Sequence, residues 1–155
     1  MLDRIDGPVI LVAHSYGGAV ITQAEGTKRS GHLYVVQYTL PDGTSGAYLL
    51  YQAEKFHSQV AADVSESEAA LLLASQRPMD RLCLTEAPTV AAWKNLPTWQ
   101  IITTEDLAIP LAEQKFEADR ARSRFVEVDA SHAVTVSNPG VVAHVIEQAA
   151  RSLWH

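Results

Sequence analysis

Ser15, Asp106 and His132 are the residues of this chain whose types and order could do chemistry together. A serine hydroxyl is a poor nucleophile until a base within hydrogen-bond reach takes its proton. The base in turn needs a third group to fix its tautomer and balance its positive charge. The chain supplies these types in the order nucleophile, acid, histidine, with room for one helix and one strand between Asp106 and His132. Ser15 lies in Ala13-His14-Ser15-Tyr16-Gly17, directly after the apolar run Val9-Ile10-Leu11-Val12-Ala13. A fully buried parallel strand reads as such an unbroken run rather than as an alternation. Small residues crowded around one serine suit a sharp strand-to-helix turn that pushes the hydroxyl out at the end of a sheet and aims the next backbone N–H at a developing oxyanion. The usual form of that turn is G-x-S-x-G; Ala13 stands in the first place and is small enough to keep it. The competing reading is a buried strand that merely ends in a Ser-Gly turn.

Other residues compete for these roles less well. Glu105 neighbours Asp106 and could be the orienting carboxylate, but the Asp-x-x-Ile-Pro context favours Asp106. His14 reads as a turn residue packed under a lid rather than as a base, because adjacent side chains in an elbow diverge. His57, His144 and His155 fall on expected helices and His32 opens an expected strand, all four as surface or packing residues. No histidine pair has metal-ligand spacing with a carboxylate on one helical face, so no metal is expected. No glycine-rich phosphate loop is present either, and the expectation is chemistry without a cofactor.

These side chains need elements to carry them. A helix-compatible stretch, 19–24, follows the turn at Ser15, and a polar turn spans 26–31. Residues 32–40 form a β-rich run, broken by Pro41-Asp42-Gly43 and followed by a second apolar stretch at 47–51. A parallel strand leading into a lid is preferred here over a hairpin, because a six-residue turn across PDGTSG sets hairpin register poorly. Residues 54–76 read as two helices, the second opened by a capping box of Ser65 and Glu68 and stopped by Arg77-Pro78. With 79–88 they form a helical insert suited to sit over a site, with Phe56, Leu71, Leu72 and Leu84 available to line it, although ordinary core packing serves any one of them as well. His14, Phe56 and Leu72 are the candidate substrate-binding side chains.

A strand at 98–103 runs into Asp106. A helix over 110–122 places Leu111, Phe116 and Ala118 near one face. A short strand at 124–129 leads to the loop Ala130-Ser131-His132-Ala133, and a last helix starts near Pro139, a residue suited to a first helical turn. This alternation predicts an α/β domain on a parallel sheet of about four strands with flanking helices and a short helical lid, a single domain over 1–155 with the insert at about 41–90. Ligands of such sheets sit at the carboxyl ends of the strands, and Ser15, Asp106 and His132 each follow a strand.

Composition narrows the partners. The 155 residues are 47% hydrophobic and 19% charged, as in globular domains. The longest apolar run falls far short of the roughly 18 residues of a membrane span, and Asp3, Arg4 and Asp6 interrupt any signal-peptide pattern. A formal charge of −6 argues against nucleic acid or an anionic membrane as partner. One cysteine, Cys83, forms no intramolecular disulfide and fits a cytoplasmic setting.

The segments GPVILVAHSYGGAVIT, EKFHSQVAADVSESEAALLLASQRP, TEDLAIP and VDASHAVTVSNPGVVAHVIEQAA resemble the C-terminal two-thirds of the α/β-hydrolase superfamily, in its small serine esterase branch. The resemblance spans nearly the whole chain. It implies a serine esterase acting on small carboxylic esters, with Ser15 as nucleophile, Asp106 as acid, His132 as base and Tyr16 giving one oxyanion N–H. It also implies a truncated fold, since relatives begin with further strands and a His-Gly loop that supplies the second oxyanion N–H. An apolar strand left without that neighbour becomes an edge that invites pairing, so a homo-oligomer, most simply a two-fold dimer, is expected. Two alternatives stand beside this reading. One is a non-catalytic fragment or binding module that needs a partner chain; the other keeps the triad but performs lyase, perhydrolase or amidase chemistry.

Overall fold

Among the described residues, strands fall into two separate groups along the chain. The computed structural model describes residues 6–15, 33–84 and 92–152; Tyr16, the stretches 19–24 and 26–31, and Leu153 of the last helix lie outside them. In the first group, β1 (Leu33–Thr39) and β2 (Ser45–Tyr51) are antiparallel, with Val35 opposite Leu49 and Tyr38 opposite Gly46. After α1 (Ala53–Val60) and α2 (Glu66–Ser75), the short β3 (Met79–Asp80) adds to the other side of β2. In the second group, β4 (Trp99–Thr103) and β5 (Arg124–Val128) pair in parallel around the crossover helix α3 (Leu111–Ala121). The one-turn α4 (Val134–Ser137) and then α5 (Pro139–Arg151) close the described chain, with Pro139 in the first turn of α5.

The hairpin corrects the expected parallel strand at 47–51. Only Pro41, Asp42 and Gly43 form the loop. Gly43 N–H donates to the Leu40 carbonyl (2.9 Å), Leu40 N–H to the Thr44 carbonyl (2.7 Å) and Thr44 N–H to Asp42 Oδ1 (2.9 Å), while Gly43 takes φ +87°. A tight turn followed by a left-handed glycine is a favoured three-residue hairpin loop. Ser45 and Gly46, counted as turn residues from sequence, already belong to β2. Gly46 is required there, because the Tyr38 ring lies too close for any Cβ. That ring stacks on Tyr48 (4.5 Å between centroids) and donates its hydroxyl to Asp80 (2.5 Å), tying all three strands together.

The helix pair follows the sequence closely. The Ser65 hydroxyl accepts from Glu68 N–H (3.2 Å) and the Glu68 carboxylate accepts from Ser65 N–H (3.2 Å), the reciprocal capping box. Phe56, Val60, Ala61 and Ala69 bury the contact between α1 and α2, with Tyr51, Leu72 and Leu73 packed around it. Leu71 points away and is 71% exposed.

Two further expectations fail. Residues 9–13 join no ladder among the described residues, and Leu11 and Val12 are 49% and 60% exposed. An apolar run is buried as a parallel strand only where neighbours flank it, and here none of the described strands does. In α3, Phe116 is 56% exposed while Gln114 and Ala118 are buried. The inward stripe is therefore carried by a polar residue and a small one, which hydrophobicity alone does not find.

Candidate active site

Parallel pairing brings the acid and the imidazole together. Parallel strands end at the same edge of a sheet, and Thr103 and Val128 form the last rung of the β4–β5 ladder. Pairing continues into the loops, with Thr104 N–H donating to the Val128 carbonyl (3.0 Å) and Glu105 N–H to the Ala130 carbonyl (3.2 Å). The two loops thus leave the sheet side by side, one carrying Asp106 and the other His132. Beneath them α3 and α5 both pack on β4, and Ile102 is fully buried.

Asp106 is held by four donors. Oδ1 accepts from the N–H groups of Ala108 and Ile109, both at 2.8 Å. Oδ2 accepts from Thr103 Oγ1 (3.0 Å) and from His132 Nδ1 (2.8 Å). Burial by itself pushes the carboxyl pKa up, but the hydrogen bond and charge of His132 and the two backbone N–H groups outweigh it and hold the group below the ordinary aspartate value. An ionised carboxylate only accepts, so the proton on this side of the ring belongs to His132 Nδ1. The other ring nitrogen, Nε2, is then the acceptor, and it lies 2.8 Å from Ser15 Oγ. Ser15 itself takes φ +54°, a left-handed conformation uncommon for a residue with a side chain and expected at a sharp elbow. The structure therefore brings Ser15, His132 and Asp106 into one hydrogen-bonded line; Glu105 is exposed and takes no part in it.

The structure also places the other expected site residues it describes, His14, Phe56 and Leu72. His14 Nε2 donates to the His132 backbone carbonyl (2.8 Å), and the two rings lie 4.8 Å apart at 45°. Part of the His14 ring is open to solvent and part is enclosed by protein; the enclosed part, with the nearby His132 ring, lowers its pKa below the ordinary histidine value despite the opposing hydrogen bond and the Asp106 charge. Phe56 sits inside the α1–α2 core with its ring edge toward Tyr51 (6.0 Å), and Leu72 packs against that core.

Sequence reasoning missed the residues that brace this line. Gln114 reaches from α3 to the exit of β4: its Oε1 accepts from Thr103 N–H (2.9 Å) and lies 3.2 Å from Thr103 Oγ1, and its Nε2 donates to the carbonyls of Thr103 (3.0 Å) and Ile109 (2.8 Å). One buried amide thereby ties down both ends of the Asp106 loop. A glutamine four residues before a buried alanine on an amphipathic helix was the available signal. Ser131, 1% exposed beside His132, is bonded to Asp63, and that long-range contact leaves no local trace in the sequence. Among the described residues no group of three or more His, Cys, Asp or Glu could hold a metal ion, and no helix is long and apolar enough to cross a membrane.

The model of the alpha/beta hydrolase family matches residues 1–145. This chain belongs to the alpha/beta hydrolase family. It is 26% identical over 176 residues to the alpha/beta hydrolase nvfD of Aspergillus novofumigatus, a match covering 92% of this chain and 70% of that protein. Among solved structures, polyneuridine aldehyde esterase is similar over 76% of this chain and 48% of its own, with a TM-score of 0.65 and 16% identity. A histidine-to-alanine mutant of that esterase is similar over 71% of this chain and 45% of its own, with a TM-score of 0.60 and 16% identity. The chain thus spans about half the length of these solved relatives, and at this identity the likeness speaks for the fold. With the family match it makes the fold that of an alpha/beta hydrolase, in which β4 and β5 are the described part of the parallel sheet.

Proposed function

We propose that this protein is a serine esterase that hydrolyses small carboxylic esters through an acyl-enzyme on Ser15. One observation carries the reading: His132 stands between Ser15 Oγ and a buried, ionised Asp106, with 2.8 Å on either side. As Ser15 Oγ attacks the ester carbonyl carbon, its proton passes to His132 Nε2. Asp106 fixes the ring with Nδ1 protonated and balances the imidazolium that forms. His132 then gives the proton to the departing alcohol oxygen as the carbon–oxygen bond breaks. Water repeats the sequence on the acyl-enzyme, releasing the acid and restoring Ser15. The Tyr16 N–H is the expected oxyanion donor. That the similar solved protein is an esterase agrees with this chemistry, but the reading rests on the hydrogen-bonded line.

The test pairs an activated short-chain ester with a serine-directed phosphonate. The wild type should turn the ester over and take up one phosphonyl group on Ser15, while Ser15→Ala should lose turnover by a factor on the order of 10⁴ or more and remain unlabelled. Equal rates in the two proteins, with no adduct on the wild type, would refute the proposal.

A second reading is favoured by the exposure of Leu11 and Val12: a binding module whose apolar run pairs with a partner chain. It requires that the isolated chain stay unlabelled and form mixed oligomers in light scattering.

A further inference from the structure

The loop bearing His132 is gripped on both flanks by the α1–α2 segment. On one flank, Asp63, in the turn between α1 and α2, accepts from Ser131 N–H through Oδ2 (3.0 Å) and from the Ser131 hydroxyl through Oδ1. That hydroxyl lies 3.1 Å from the Val60 carbonyl as well, and in turn accepts from Ala133 N–H (3.2 Å). On the other flank, Ala133 is buried in the cluster of Phe56, Val60, Ala61 and Ala69. Asp63 is otherwise exposed, yet its carboxylate faces a residue that is 1% exposed. Ordinary α1–α2 packing explains Phe56 and Ala69 but not this polar contact, which joins residues far apart in sequence and ends one residue short of the imidazole.

We propose that Asp63 is a positioning residue: its carboxylate locks the α1–α2 segment onto Ser131 and so fixes the backbone from which His132 reaches Ser15. The segment is then a mount for the base as well as a cover. An ionised carboxylate suits the task because both groups it meets on Ser131, the N–H and the O–H, are donors, and charge-assisted hydrogen bonds are the stronger kind. Burial of the carboxyl pushes its pKa up, while hydrogen bonding, first of all from Ser131, outweighs this and holds it below the ordinary aspartate value, so the lock stays charged at neutral pH. The contribution to catalysis rests on the esterase reading; the effect on imidazole placement does not.

The experiment therefore has a substrate-free arm. Asp63→Ala and Asp63→Asn are compared with the wild type by the downfield proton resonance of His132 Nδ1–H, assigned by its absence in Asp106→Ala, and by ester turnover per folded molecule. Both variants should shift or broaden the resonance, Asn less because it keeps one acceptor oxygen. Turnover should fall on the order of 10- to 100-fold in kcat with KM nearly unchanged, the scale expected when a reacting group is displaced by about 1 Å. If Asp63→Ala does not fold, the near-isosteric Asp63→Asn decides. An unchanged resonance in a folded variant overturns the proposal whatever the rates do. If the wild type hydrolyses no ester, a perturbed resonance still supports the lock while the esterase reading falls.

Discussion

Asp106 and His132 reach the site by a route very different from that of Ser15. The acid and the base leave two strands that pair in parallel, stand on a fully buried Ile102 and are braced by Gln114, so every polar atom of the Asp106 carboxylate is committed. Ser15 arrives at the end of residues 9–13, which join no ladder among the described residues and leave Leu11 and Val12 about half exposed or more. On the described residues, Ser15 is tethered to the rest of the site by its own bond to His132 Nε2 and by His14 to the His132 carbonyl. Among these residues, one half of the site is held by its own packing, and the bonds of Ser15 and His14 run to it. The consequence is that damage to the acid–base half should propagate to Ser15, whereas damage to the run before Ser15 should stay local.

The largest expected effect is at the shared acid. Asp106→Asn keeps the shape of the side chain but can no longer hold Nδ1 as the donor, so kcat for the ester should fall on the order of 10⁴-fold. The same variant tests the electrostatics. A carboxyl whose folded pKa is depressed stabilises the fold above its unfolded value, about 4, and that stabilisation is lost as pH falls through the folded value. Melts of wild type and Asp106→Asn should therefore differ most near neutrality and converge in acid. Parallel melting curves at all pH values would show that Asp106 is not the ionised partner.

Next comes Ile102→Ala, which opens a cavity beneath both loops. It should cost about 2–5 kcal/mol of stability in denaturant titration, and phosphonate labelling of Ser15 should slow although the mutation lies on β4. Labelling at the wild-type rate would break the view that the serine is located by the acid–base half. The smallest effect is expected for Leu11→Ser: an exposed side chain outside any ladder should shift stability by no more than about 0.5 kcal/mol. A much larger loss, accompanied by a change in sedimentation, would mean that another chain covers this run.

Reading the residues in order yields the helix pair α1–α2 and most of the second half of the chain. The capping box at Ser65 and Glu68, the Pro139 helix start, the strands before Asp106 and His132 and the three residue types of the site are all local signals, set by capping chemistry, periodicity and spacing. What sequence misreads are features whose cause lies at a distance. The hairpin depends on where β2 begins, which turns on Gly46 meeting the Tyr38 ring across the ladder. Phe116 obeys the apolar pattern of a helix and still faces water, because Gln114 is drawn inward by hydrogen bonds to Thr103 and Ile109.

The chain alone therefore determined which residue types could act, in what order, and on which kinds of element they ride, since a strand, a cap or a turn answers to its immediate neighbours. Only the folded chain decided that the imidazole lies within hydrogen-bond reach of both Ser15 and Asp106, that Gln114 and Asp63 brace the loops, and that the run before Ser15 stays uncovered among the described residues. Those facts depend on contacts between residues tens of positions apart, and chain closure over such separations is settled by packing and hydrogen-bond satisfaction rather than by any local pattern.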